Sequence, residues 1–230
     1  MTSTIRITSQ PVERTKRRGG WLPVVGLLLL SLIPVLGGAL RLTDLTGGDV
    51  TADNARFFAS PIPVVAHIVG ATVYTLLGAF QFVPALRGRR GWHRMAGRIL
   101  IPAGLVAALS GLWMAAFSTP PDGDTTLLML IRLAFGSAMV ASIVLGMLAI
   151  KRRDFMAHGA WMTRAYALGI AAGTQAIVLA IWILSVGPVD SLTEPLLLGA
   201  AWLINAVVAE LVILRRTRRG FAKPNQPVRP

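Results

Sequence analysis

Long apolar blocks separated by short polar segments constrain this chain more than any other feature of its sequence. The blocks are Trp21–Leu40, Ala59–Leu86, Met95–Phe117, Thr125–Ile150, Phe155–Leu184 and Pro195–Leu214. A helix needs about 20 apolar residues to cross the hydrocarbon core of a bilayer. The second, fourth and fifth blocks exceed that length, so they tilt or extend into the interface. A soluble amphipathic bundle is excluded, because its helices would each carry a polar face. Composition agrees: 54% of residues are hydrophobic and 14% are charged, whereas a soluble domain carries about 25% charged residues. The expected fold is an all-α integral membrane protein, a bundle of six transmembrane helices forming one domain over residues 21–214. The first block follows Arg14, Lys16, Arg17 and Arg18, as a signal peptide would. Its apolar run is too long for a typical h-region and no A-x-A site follows, so it reads as a retained helix.

The net charge of +13 does not point to nucleic acid. The basic residues sit between apolar blocks, where they set topology and meet anionic lipid headgroups. Eighteen Lys and Arg residues fall in the N-terminal tail, the second-to-third loop, the fourth-to-fifth loop and the C-terminal tail. The remaining segments hold only Arg41 and Arg56 outside the apolar blocks, together with most of the acids. Positively charged segments stay in the cytoplasm. Both termini are therefore expected inside, with residues 1–20 a disordered basic tail and residues 215–230 a second basic tail. Arginine and alanine are abundant, which points to a GC-rich bacterial genome and a multi-pass protein of the cytoplasmic membrane. The chain has no cysteine, which excludes disulfides and thiolate metal sites.

The residues that carry information are those that do not belong in lipid, where a charged group costs at least a few kcal/mol unless paired or hydrated. Threading the topology places His93, Arg98, His158, Arg164 and Glu210 towards the cytoplasmic end, joined by Gln81. It places His67, Arg132 and Gln175 towards the outer end. His93 opens the third helix and His158 the fifth, at similar depth. A helix N-terminus disfavours imidazolium, so both rings are biased to the neutral form that binds metal. Asp154, four residues before His158, is expected to orient its ring. Two neutral imidazoles facing each other across a bundle suit the iron of a b-type haem. Arg94, Arg98 and Arg164 would receive its propionates, with Trp92, Trp161 and Met162 flanking the ring. Glu210 is expected to pair with Arg164 or Arg98 inside the bundle. The ordinary alternatives stand beside these readings: a headgroup contact for each histidine, a structural ion pair for Arg164 and Glu210, and snorkelling for Arg98. Small residues four apart at Ala103, Ala107 and Gly111, and at Ala165, Gly169 and Gly173, permit close helix contact. No nucleophile elbow, HExxH or P-loop is present.

These residues also carry a resemblance. The run His67…Gly78-Ala79-Phe80-Gln81-Phe82…His93-Arg94-Met95-Ala96-Gly97-Arg98, then His158…Trp161-Met162-Thr163-Arg164-Ala165-Tyr166-Ala167-Leu168, then Asn205…Glu210, resembles a bacterial family of predicted membrane proteins, the domain of unknown function 2306. The resemblance covers roughly residues 60–214 and brings no established activity with it. The histidines of the third and fifth helices are also similar to one ligand pair of the two-haem cytochrome b561 type, an architectural likeness. That pattern would need a fourth-helix histidine to partner His67, and here Arg132 stands at that depth, so a second haem is not expected. Two functional classes follow: a haem-b electron carrier at the inner leaflet, or a cofactor-free membrane protein with a structural, scaffolding or small-molecule transport role.

Overall fold

The structure is a computed structural model that describes residues 21–51, 54–83, 86, 90–118 and 125–221. The described residues are almost wholly helical and contain no strand. In chain order the helices are α1 (Leu22–Gly47), α2 (Ala55–Ala59), α3 (Pro61–Ala79), α4 (Arg90–Phe117), α5 (Thr126–Lys151), α6 (Phe155–Gly169), α7 (Ala171–Ser185) and α8 (Thr193–Phe221). A 3-10 turn, Phe80–Phe82, ends α3. Among the described residues five helices are long and apolar enough to cross a membrane, and α6 with α7 adds a sixth span if the bent pair counts as one. The protein is therefore an all-α membrane protein with several apolar spans.

Local chemistry sets the helix starts. Pro occupies the first turn of α1 and of α3, where its missing N–H costs nothing. Thr125 caps α5 by accepting from the Leu128 N–H at 3.3 Å. Asp154 caps α6 by accepting from the Ala157 N–H at 2.9 Å. Ahead of α8, Asp190 accepts from the backbone N–H groups of Leu192 and Thr193 and from the Thr193 hydroxyl. Those bonds, the Thr193 N–H first, hold its carboxyl below the usual carboxylate range.

The helices pack in the pairs α3–α4, α5–α6, α4–α5, α7–α8, α1–α3 and α6–α8. Small residues make the closest approaches. Any Cβ at Gly70 would lie 2.9 Å from the Ala103 carbonyl, and one at Gly169 would lie 2.7 Å from the Tyr74 ring. Pro34 inside α1 has no N–H to give the Leu30 carbonyl. That carbonyl lies against Gly173 of α7, where a Cβ would overlap it. Tyr74 and Tyr166 sit buried at the centre, ring centroids 5.9 Å apart, and the Tyr166 hydroxyl donates to the Thr75 carbonyl at 2.8 Å. Large apolar side chains such as Leu22, Leu36, Leu40, Leu184 and Val207 point outward, as lipid-facing residues do.

Four elements differ from the sequence expectation, the first being α1, which runs past Leu40 to Gly47. The helix of the second span runs Pro61–Phe82, and Val83 interrupts it in extended backbone ahead of Pro84. The fifth span is not one helix: it breaks at Ile170, and α6 and α7 meet at a 42° bend. Gly169 and Gly173, weak helix formers, flank the break. Asn205 of α8 bridges it, donating to the Ala167 carbonyl of α6 at 2.9 Å and accepting from the Thr174 hydroxyl of α7 at 2.9 Å. The last helix continues past Leu214 to Phe221, so the start of the expected tail, residues 215–221, is helical. The expected disordered tail 1–20 and residues 222–230 lie outside the described residues.

Candidate functional site

Two cavities occupy opposite ends of the bundle. The first gathers the end of α3, the start of α4, the end of α5, the start of α6 and the end of α8, and its volume is about 570 Å³. These are the segments that border the basic loops, so this is the basic end. The second, about 640 Å³, gathers the middle of α1, α2, the middle of α3, the end of α4, the start of α5, the α6–α7 junction and Trp202 of α8. Tyr74 lines both.

His93 and His158 line the basic-end cavity together, one from α4 and one from α6. The His158 Nδ1 lies 2.8 Å from the Gly146 carbonyl, which can only accept, so Nδ1–H donates. His93 is held in the same way, with Nδ1 against the Gln81 Oε1. An acceptor on one ring nitrogen fixes the tautomer and orientation of a metal-binding imidazole. The walls are apolar, formed by residues such as Leu100, Ile143, Met162 and Tyr166. Buried Tyr74, Leu100, Ile143 and Tyr166, from four helices, thus back a cavity that His158 lines half-buried and His93 lines from its exposed rim.

The surrounding residues are sorted differently from the sequence reading. Asp154 caps α6 and does not orient the His158 ring; Gly146 does. Arg94 and Arg98 are exposed on α4 and do not line the cavity. Arg164 also lies outside it, bonded to Glu210 through Nε–Oε1 at 2.6 Å and Nη2–Oε2 at 2.9 Å, with its guanidinium over the Trp161 ring. That pair sits on the flank of α6 and α8, its side chains 30% and 47% exposed, rather than inside the bundle. Of the three expected flanking residues, Met162 lines the cavity and Trp92 packs against the core.

Arg216 lines the cavity and was not among the expected site residues. It donates to the Thr163 hydroxyl at 3.3 Å and lies over the Phe82 ring. The signal for it was present: no Gly or Pro interrupts the chain between Leu214 and Arg219, so the last helix had no reason to stop at Leu214. At the opposite end, His67, Arg132 and Gln175 line the second cavity, as their expected depth requires. His67 donates from Nδ1 to the Ala107 carbonyl at 2.8 Å. Among the described residues no group of three or more His, Cys, Asp or Glu side chains is placed to hold a metal ion by itself.

A family described as predicted membrane protein (DUF2306) matches residues 64–213, a stretch that contains all three histidines and ends before Arg216. No curated protein and no solved structure matches the chain.

Proposed function

The chain belongs to the DUF2306 family of predicted membrane proteins, and from that premise we propose that it holds one b-type haem in the basic-end cavity and carries electrons at that membrane surface. One observation carries the reading: His93 and His158, from different helices, line one apolar cavity with each Nδ1 fixed by an oxygen acceptor. With Nδ1–H donating, Nε2 is the nitrogen of each neutral ring that would carry the lone pair. The volume, about 570 Å³, lies within the range of about 300–1,000 Å³ typical of small-molecule and cofactor sites. Haem bound by two imidazoles would supply one-electron transfer. Arg216, with Thr217 beside it, would meet the propionates, in place of Arg94, Arg98 and Arg164. Gln81 and the Gly146 carbonyl would hold the two rings in the ligating tautomer. The protein would lie in the bacterial cytoplasmic membrane with this cavity at the inner leaflet, because its rim is the arginine-rich side. The same arginines would contact anionic headgroups.

The test is an absorption spectrum of the detergent-purified protein produced with haem available. The expected result is a sharp Soret band and reducible α-bands. His93→Ala and His158→Ala should each abolish the six-coordinate spectrum, whereas His67→Ala should leave it intact. A colourless protein that also fails to bind added haemin would sink the proposal and leave the cofactor-free reading, a structural, scaffolding or transport role.

A further inference from the structure

The second cavity holds a different chemistry. Every ionisable side chain that lines it among the described residues is a base or a tyrosine: Arg56, Arg132, His67 and Tyr74. Arg56 comes from the short α2, and the neighbouring Phe57 ring lies under two guanidiniums, with Arg41 at 4.3 Å and Arg56 at 4.6 Å from its centroid. Those contacts tie α2 to the end of α1. Arg132 comes from α5. A guanidinium carries five N–H donors in a rigid fork, so each can hold another partner and still offer N–H groups to an oxygen in the cavity. The same face of α5 continues apolar: Phe135 and Met139 follow Arg132 by three and seven residues, and Phe135 stacks on Trp202 of α8 at 5.1 Å with an interplanar angle of 11°. Arginine is costly within a span, so Arg132 on α5, sharing one cavity with Arg56 of the short α2, marks a functional position.

We propose that this cavity binds an amphipathic molecule whose head is an oxyanion, a carboxylate or a phosphate. Arg56 and Arg132 hold the head, and the apolar body lies along Phe135, Trp202 and Met139. The site does not depend on haem at the other end. Two sources offer this chemistry: a free long-chain acid, or an anionic phospholipid entering from the bilayer.

Trp202 supplies the readout. The full chain is placed in phosphatidylcholine nanodiscs and its fluorescence quenching by bromine-labelled probes is compared with that of Trp202→Phe, which isolates the Trp202 contribution. One arm adds dibromostearic acid; the other builds in brominated-chain phosphatidylglycerol. Saturable quenching of Trp202 in the first arm identifies a free acid, in the second a lipid headgroup, and in both a site open to either. Quenching should be reversed by excess unlabelled stearate, and dibromostearate methyl ester should be inactive. Arg132→Gln should weaken the apparent affinity about tenfold, the loss of a charge-assisted hydrogen bond. If that variant does not fold, Arg56→Gln carries the same expectation, and the acid-against-ester comparison on the unaltered chain decides. Equal quenching by acid and ester, or no saturable component in either arm, would overturn the proposal.

Discussion

Glu210 and Arg164 form a bidentate pair between α8 and α6. Each side chain is partly exposed, so the pair is not an enclosed site but a tie between two helices on the flank of the bundle. Its value comes from what would otherwise be left: an arginine or a carboxylate at the bilayer boundary without its counter-charge. Hydrogen bonds between transmembrane helices are worth about 0.6 kcal/mol on average and about 1.7 kcal/mol at most. Glu210→Leu should therefore lower the unfolding free energy in mixed micelles by about 1–2 kcal/mol and reduce folded yield. Adding Arg164→Gln should restore part of the loss, because the stranded charge goes with it. An unchanged single variant would mean that headgroups or water already solvate both groups.

At the scale of the element, the bend between α6 and α7 is the feature that most needs its neighbours. Two halves of 15 residues each reach about 22 Å apiece at about 1.5 Å per residue, and neither crosses a core of about 30 Å alone. Asn205 holds them together from α8 through the Ala167 carbonyl and the Thr174 hydroxyl. Asn205→Ala should cost about 1–2 kcal/mol, two hydrogen bonds at about 1 kcal/mol each, and Thr174→Val, which removes one of them, about half as much. Reversible unfolding in mixed micelles measures both; equal or negligible costs would remove Asn205 as the brace. The sequence showed this segment as one apolar run because hydropathy does not register a bend. The apolar blocks were legible, since lipid demands them, and so was the meeting of His93 and His158 at one end of the bundle, since both lie near helix starts. What was not legible was which side chains turn into the cavity. Arg164 and Arg216 look alike in sequence. Only the rotation of α6 and α8 sends one to Glu210 and the other to the basic-end cavity. The Gly146 carbonyl beside His158 carries no side-chain signal at all.

For the whole molecule, the bent pair decides the topology. If α6 and α7 together cross the membrane, α8 starts on the far side and returns the chain to the side where α1 began. If the pair were re-entrant, α8 would cross the other way and leave Arg215, Arg216, Arg218, Arg219 and the rest of the basic tail opposite the other basic loops. Charge argues against that, because eighteen Lys and Arg residues fall on one side only under the six-span arrangement. Geometry argues against it as well. A re-entrant hairpin reverses direction, whereas this bend is 42°, and α7 carries Gln175 to the cavity at the end away from the basic loops. Reporter fusions after Asp49, Asp122 and Asp190 should therefore signal the outside, and fusions after Arg89, Arg153 and Arg219 the cytoplasm. Asp190 and Arg219 are the decisive positions. A cytoplasmic signal at Asp190 with an external one at Arg219 would make the pair re-entrant and reduce the spans to five. It would also put the Arg216 end of α8 on the opposite side from His93 and His158, which the shared cavity forbids. The fusions thus test the topology and the assembly of the candidate haem site with one set of measurements.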